Sequence, residues 1–393
     1  MGLILNDLKN ACELEHVCDY VNNRTTSSMN YISTENMLPN KGGISESTII
    51  PPGTTTEYKI GDILISNIRP YFQKIWCADR CGGCSADVLC IRAQENTDSK
   101  YLYYLLSQQA FFDYVMSGAK GCKMPRGDKK QIMQWPVNIP AIDVQKKVVA
   151  ILSSLDNKIR LNRRINDNLE EQAKALFKSW FVDFEPFKGG KFVDSELGLI
   201  PKGWSTGTIY SYIDVIYGAP YKSALFNDKK QGLPLIRIRD LKTYTPQYYT
   251  KEVLPNTEYV ECGDIIAGMD AEFIPHIWRG EKGVLNQRLC KFVPKYDYVS
   301  KYYIYSLVYP KLAFVQSYKV GTTVSHLGKA DIDRFKVIVP PEDIIMQYSK
   351  IVNSYFAEIV KVSNENQILS SLRDTLLPKL MSGELSVEEV SLD

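Results

Sequence analysis

A chain of 393 residues, 45% apolar and 23% charged, is able to bury cores in two or three domains and is not a disordered polymer. Nowhere do eighteen consecutive apolar residues occur, and MGLILNDLKNACELEHVCDY has no basic stretch leading into an apolar run, so neither membrane insertion nor export is indicated and the cytoplasm is the expected compartment. A formal net charge of +2 and an odd count of 9 cysteines speak against an overtly basic nucleic-acid binder and against a disulfide framework.

In chain order, residues 1–142 come first. Short apolar runs such as DILISNI and DVLCIR, broken by Gly, Pro and Asn, predict strands, with a helix from about Lys100 to Met116. This is the pattern of a compact mixed α/β domain. Within it, WCADRCGGCSADVLC (76–90) sets Cys77, Cys81 and Cys84 in a C-x3-C-x2-C spacing, one that radical S-adenosylmethionine enzymes use to hold an iron-sulfur cluster. Further on, KGCKMPRGDKK (120–130) gathers Lys120, Lys123, Arg126, Lys129 and Lys130 against the single acid Asp128. The plain reading of such a run is a solvated loop.

From 143 to 188 apolar residues step by three and four, through Val144, Val148, Ile151, Leu155, Ile159, Leu169, Ala173, Leu176 and Trp180, which predicts a long amphipathic helix. Residues 189–341 return to strand-like runs (LPLIRIR, LCKFVP) with a helix from about Ser300 to Ser317. They are more basic: residues 201–340 hold 19 basic and 13 acidic side chains, residues 1–140 hold 14 of each. A second amphipathic series fills 342–385, through Ile344, Tyr348, Ile351, Tyr355, Ile359, Val362, Leu369, Leu372, Leu376 and Leu380, and 386–393 is expected as a flexible tail. Asn166 and Asn366 interrupt the two stripes as buried Asn does where it fixes a register. Neither stripe is stable alone in water, so the helices are expected to pair as an antiparallel coiled coil between two α/β domains, in the manner of a dumbbell. Two sister domains so held suit half-sites on one face of a DNA duplex, about one helical turn apart.

The two halves repeat each other. At an offset of 200, Gly121 meets Gly321, Lys129 meets Lys329, Pro140 meets Pro340, Asn166 meets Asn366 and Leu176 meets Leu376; upstream, Gly61 of GDIL meets Gly263 of GDII, and Trp76 meets Trp278. A duplication of this length is far longer than a solenoid repeat. The cysteine-rich stretch then corresponds to WRGEKGVLNQRLC (278–290), which holds one cysteine, so the fold does not require a cluster there. Nor does a βα series follow it, as a radical-enzyme barrel demands.

LSSLDNKIRLNRRINDNLEEQAKALFKSWFVDFEPF (152–187), SELGLIPKGW (195–204) and LRDTLLPKLMSGEL (372–385) are specific signals. Over essentially its whole length the chain resembles the specificity subunits of type I restriction-modification systems, and GDILISNIRPY with KMPRGDKK is also similar to first recognition domains of that family. The resemblance implies target recognition domain 1 (1–142), a central conserved helix (143–188), target recognition domain 2 (189–341) and a C-terminal conserved helix (342–385). It further implies that the chain reads a split sequence in double-stranded DNA, one half per domain. Its helices would seat two modification subunits, which bind S-adenosylmethionine and methylate adenine, and restriction subunits would join to translocate and cut. The cysteine-rich loop departs from the family pattern in the part of these chains that diverges most.

No catalytic set is visible. His16, His276 and His326 lack partners at ligand spacing. GTTVSHLGKA (321–330) spaces its glycines wrongly for a phosphate loop and has Ala330 where a Ser or Thr would hold magnesium. There is no Gly-rich turn for S-adenosylmethionine and no Asn-Pro-Pro-aromatic tetrapeptide, so the expectation is a non-catalytic subunit with no metal or cofactor of its own. DNA contacts are expected from Lys120, Lys123, Arg126, Lys129 and Lys130 in one copy and from Lys319, Thr322, Thr323, Ser325, His326 and Lys329 in the other, because differing loops on a repeated frame are what two targets require. A second set is Arg69, Tyr71 and Lys74, with Arg237, Arg239, Lys242, Tyr244, Tyr248 and Tyr249. Arg suits guanine, Ser, Thr and His suit several base edges, and Lys more often holds phosphate. Phe177, Trp180, Phe181 and Phe184, with Leu377 and Leu380, are expected to contact a modification subunit, core packing being the plain alternative. Rival readings are a coiled-coil scaffold whose domains bind protein, a metal enzyme, and a specificity subunit whose partner fuses cutting and methylation.

Overall fold

A computed structural model describes residues 12–26, 30–45, 53–121, 123–319 and 326–390. The chain forms two compact units, one reaching to Asn157 and resuming at Ser371, the other spanning Lys158–Ser370. Each is a mixed α/β domain that includes a portion of both long helices, which run unbroken over Ile142–Phe181 and Glu342–Ser382. The predicted architecture, two repeated α/β recognition domains with two long antiparallel helices, is the observed one.

In the first unit the strands Cys18–Tyr20, Val88–Ala93, Ile63–Ser66 and Ile75–Cys77 pair antiparallel in that order. Successive strand residues point to opposite faces, so Ile63 and Ile65 enter one core with the following helices while Leu64 enters another with Tyr58 and Trp76. The second unit repeats the order with Ile213–Tyr217, Leu289–Pro294, Ile265–Gly268 and Pro275–Ile277. The single helix predicted over 100–116 is two, Ser99–Leu106 and Gln109–Ser117. Ser107 turns its hydroxyl onto the Tyr103 carbonyl at 2.6 Å and ends the first. The second unit keeps one helix, Lys301–Lys319, that continues through Pro310.

Strand register corrects the sequence alignment of the repeats. Gly61 (φ 90°) and Gly263 (φ 93°) sit in equivalent left-handed turns and donate to the carbonyls of Ala78 and Trp278, both at 2.8 Å. Trp278 therefore stands where Ala78 stands, and the counterpart of Trp76, opposite Leu64, is His276, opposite Ile266. The two tryptophans are out of register because the hairpin after Ser66 is longer than the one after Gly268. By the same pairings Cys77 corresponds to Ile277, Cys84 to Leu285 and Cys90 to Lys291. The cysteine-rich stretch thus supplies core positions: Cys84 and Cys90 are buried, and burial pushes the Cys77 thiol up to about 11. Among the described residues no three His, Cys, Asp or Glu side chains are grouped to hold a metal.

In the second unit the helix segments run antiparallel around a polar layer. Asn162 Nδ2 donates to Glu365 Oε2 (2.8 Å) and Asn366 Oδ1 (3.0 Å), and Asn166 Nδ2 donates to Ser363 Oγ (3.0 Å), pairs of the kind that fix register. In the first unit Arg373 donates to Asp156 Oδ1 at 2.8 Å, and Val148, Ile151 and Leu152 share a core with Leu377, Leu380 and Met381. The predicted stripes are partly rotated. Val144, Ile351 and Leu372 are exposed whereas Leu152, Ile345 and Val352 are buried, because each segment is packed against its own α/β domain as well as against the other helix. Of the expected flexible tail, Val387 and Val390 pack on the first unit's core and Glu388 pairs with Lys147 at 3.0 Å.

Of the side chains expected to face a modification subunit, Phe181, Leu377 and Leu380 are buried in these cores, and Phe177, Trp180 and Phe184 are half-buried against them. Phe177 and Phe181 contact the Tyr303 ring at 5.7 and 5.1 Å, Trp180 contacts Tyr348 at 5.9 Å and Phe184 contacts Trp204 at 5.6 Å. Leu377 and Leu380 are buried in the first unit. The α/β domain covers the surface that a bare pair of helices would have left open. Among the described residues no helix is long and apolar enough to cross a membrane.

Candidate nucleic-acid interface

The first unit builds its polar surface on a short turn and a loop. After the strand Ile63–Ser66 the chain enters a one-turn helix, Pro70–Phe72, flanked by Arg69 (φ 51°) and Gln73 (φ 50°), both left-handed. Tyr71 and Phe72 are exposed with ring centroids 4.6 Å apart. Lys74 donates to the Thr34 carbonyl (2.6 Å) and lies 5.9 Å over the Phe72 ring. The loop that follows the second helix is closed by Lys120 and Arg126, whose backbones exchange two bonds of 2.9 Å, and it is docked by Arg69 N–H donating to the Pro125 carbonyl at 2.8 Å. Arg69, Tyr71, Lys74, Lys120 and Arg126, proposed from two separate stretches, therefore belong to one surface.

Charges on that surface are braced. Arg126 pairs with Asp87 at 3.1 Å and Lys120 with Asp128 at 3.0 Å. Asp128 caps the helix Lys129–Met133 by accepting from the Lys130 and Gln131 N–H groups, and the Lys120 ammonium with these two bonds holds its carboxyl below the usual range. Lys123 and Lys130 are exposed, and Lys129 lies 5.9 Å from the Tyr20 ring.

The second unit fills the frame differently. Ala271 (φ 59°) follows the strand as Arg69 does, but Phe273 is fully buried, its N–H bonded to Gln316 Oε1 at 2.7 Å, so no aromatic pair projects there. His326 Nδ1 meets Asp270 Oδ1 at 2.7 Å and Arg288 meets Asp270 Oδ2 at 2.5 Å. Lys319, expected to touch DNA, bonds to Asp331 Oδ2 (2.6 Å) and the His326 carbonyl (2.9 Å), which closes the base of the loop. Lys329 is exposed; Thr322, Thr323 and Ser325 lie outside the described residues.

The other proposed set divides. Arg237 lies over the adjacent Phe226 and Tyr248 rings at 5.9 and 5.2 Å, Arg239 donates to Gln247 at 3.3 Å and Lys242 pairs with Glu272 at 3.0 Å. Tyr244 packs against Trp278 and beneath Arg279, and Tyr249 is buried with its hydroxyl on Glu281. Tyr244 is half-buried and Tyr249 buried, and both pack within the domain. Asp87, Asp270 and Arg288 escaped the sequence reading because each is set beside its partner only by strand pairing. Phe72 was within reach, being adjacent to Tyr71.

Residues 10–171 and 201–370 match the family model of the type I restriction modification DNA specificity domain. The chain belongs to this family. It carries the specificity domain twice, in agreement with the repeat seen in sequence and structure. It is similar to the type I restriction enzyme MjaIX specificity subunit of Methanocaldococcus jannaschii, 28% identical over 320 residues that cover 74% of this chain and 70% of that one. It is also similar to the type I restriction enzyme HindI specificity subunit of Haemophilus influenzae, 24% identical over 433 residues that cover 90% of this chain and 94% of that one. A solved type I restriction-modification S subunit from M. genitalium covers 94% of this chain and 95% of its own, at 15% identity and a TM-score of 0.45.

Proposed function

We propose that this chain reads a split DNA sequence, one half with each repeat, and that it carries out no chemistry itself. Modification subunits that bind S-adenosylmethionine and methylate adenine assemble on it, and restriction subunits join them to translocate and cut, in the cytoplasm where the DNA is. One observation carries the reading: the repeats place polar loops of different composition on the same backbone frame, Arg126 and Lys120 in one, His326 with Asp270 and Arg288 in the other. Ile368, exposed on the second long helix, supplies apolar surface of the sort a subunit seat needs. The modest net charge of +2 fits a chain that shares phosphate contacts with its partners, so the isolated chain binds DNA weakly at moderate salt.

The test is to express the chain with its modification subunit and map methylated adenines across a genome. A split motif that depends on the intact chain supports the reading, and exchange of residues 1–140 for another recognition domain changes one half of the motif only. Absence of any motif with a competent partner sinks it, and an unchanged motif after the exchange favours a protein-binding scaffold.

A further inference from the structure

The loop bases of the two repeats correspond residue by residue. Arg126 bridges Ile68 as His326 bridges Asp270. The next bonds also match, Gly127 N–H to the Asn67 carbonyl and Leu327 N–H to the Met269 carbonyl. Asn67 in turn donates to the Asp87 carbonyl and Met269 to the Arg288 carbonyl, both at 2.9 Å. Three positions are thereby equivalent across the repeats. They hold Arg126, Ile68 and Asp87 in the first and His326, Asp270 and Arg288 in the second.

Each frame so presents one exposed guanidinium braced by one carboxylate, Arg126 by Asp87 at 3.1 Å and Arg288 by Asp270 at 2.5 Å. Their side chains are 58% and 59% exposed. The arginine has moved from the loop to the strand end and the carboxylate has moved with it, yet the pair persists. Such a pair is poorly suited to phosphate, because the carboxylate repels it and offsets the cationic charge. It is well suited to guanine, whose N7 and O6 accept two parallel N–H groups from a guanidinium held in one rotamer. In the second repeat the same carboxylate also meets His326 Nδ1 at 2.7 Å, which leaves Nε2 as the histidine's other hydrogen-bonding atom.

We propose that Arg126 and Arg288 are the guanine-reading residues of the two half-sites, with Asp87 and Asp270 as positioning residues. The inference rests on the proposed function and deepens it. In complexes of the whole chain with its modification subunit, methylome mapping of R126Q and R288Q is expected to show at least a tenfold loss of discrimination at one G·C position, in a different half for each variant. The untouched half stays intact and reports on folding and assembly. D87N and D270N relax the same positions less, and K130Q lowers overall methylation without altering the motif. R126K separates the two roles a guanidinium can play: it is expected to relax the guanine position, and if it preserves both level and motif, Arg126 holds phosphate and the proposal is wrong. Wild-type motifs from R126Q and R288Q, a uniform loss with no change of motif, or half-sites without a G·C pair each overturn it. A wild-type complex that yields no split motif removes the functional reading and this inference together, whereas a wild-type motif with unaltered variants removes the inference alone.

Discussion

The two units share the order of their main sheet and several loop-base bonds, and they fill them with different side chains. Around the long helices the first unit packs aliphatic residues, Leu152, Leu377, Leu380 and Met381, while the second packs rings, Phe177, Phe181, Trp204, Tyr303 and Tyr348. At the strand turns Ala78 faces the work that Trp278 does. The comparison shows that sheet order, strand register and a few turn bonds specify the domain, and that both core filling and loop chemistry change without disturbing them.

The core comparison is broken or sharpened most strongly by deleting its centres. Phe181→Ala removes a ring that contacts Tyr303, Tyr348 and Trp204 and is expected to cost about 3–5 kcal/mol; Leu377→Ala in the aliphatic centre is expected to cost about 2–4 kcal/mol. Urea unfolding of both variants gives the two values. Equal losses, or a larger one for Leu377→Ala, mean that the rings of the second unit add nothing beyond what aliphatic packing provides.

A smaller effect tests whether different clamps do the same job. Arg279 pairs with Glu170 on the first long helix and lies over Tyr244, with side-chain exposures of 18% and 27% for the ion pair. Arg373 pairs with Asp156, which also accepts from the Tyr104 hydroxyl at 2.7 Å. Arg279 ties a long helix to the α/β domain of its unit, whereas Arg373 ties the two long helices of the first unit together and Tyr104 links their Asp156 to the α/β domain. Because both pairs are partly wet, loss of either arginine is expected to cost about 2 kcal/mol, less than for a fully buried pair. Arg279→Ala and Arg373→Ala should shift their urea midpoints alike; a neutral result for one identifies a clamp that its unit does not need.

Much of this organisation was legible in the sequence. Duplication, both long helices and the loop around Arg126 followed from spacing, since a helix stripe and a repeated Gly or Pro survive in one dimension. What failed was decided by contacts between distant segments. The pairing of Trp76 with Trp278 matched letters across a hairpin whose length had changed, and only strand register exposes the slip. The aromatic run from Phe177 to Phe184 exceeds the needs of a two-helix seam, and nothing local says that an α/β domain covers it. Lys319 looks like any loop lysine until Asp331 is beside it. Asp87, Asp270 and Arg288 reach the candidate site through sheet neighbours, so no motif marks them.

The smallest expected effect makes one turn of the second unit resemble its counterpart. Ile32 bridges Cys84 and Ile236 bridges Leu285, both parallel. The turn that follows is held in the first unit by Ser33 N–H donating to Asn36 Oδ1 (3.1 Å) and in the second by Arg237 N–H donating to Asp240 Oδ2 (2.9 Å). A neutral amide thus does in one repeat what a carboxylate does in the other. Burial pushes the Asp240 carboxyl up to about 6, although backbone bonds and the charges of Arg237 and Arg239 pull it down. The folded state then binds this proton more tightly than the unfolded chain, so the contribution of this group to stability is full below about pH 4, falls as pH rises to about 6 and is flat above. Asp240→Asn keeps the acceptor and abolishes the titration, so at pH 7 it is expected to stabilise by on the order of 1 kcal/mol, with the pH 4 to 6 slope reduced. Urea midpoints at both ends of that window decide the matter. An equal loss at each pH would mean that the anion is needed beside Arg237 and Arg239, and the two turns would then be alike in shape but not in their electrostatics.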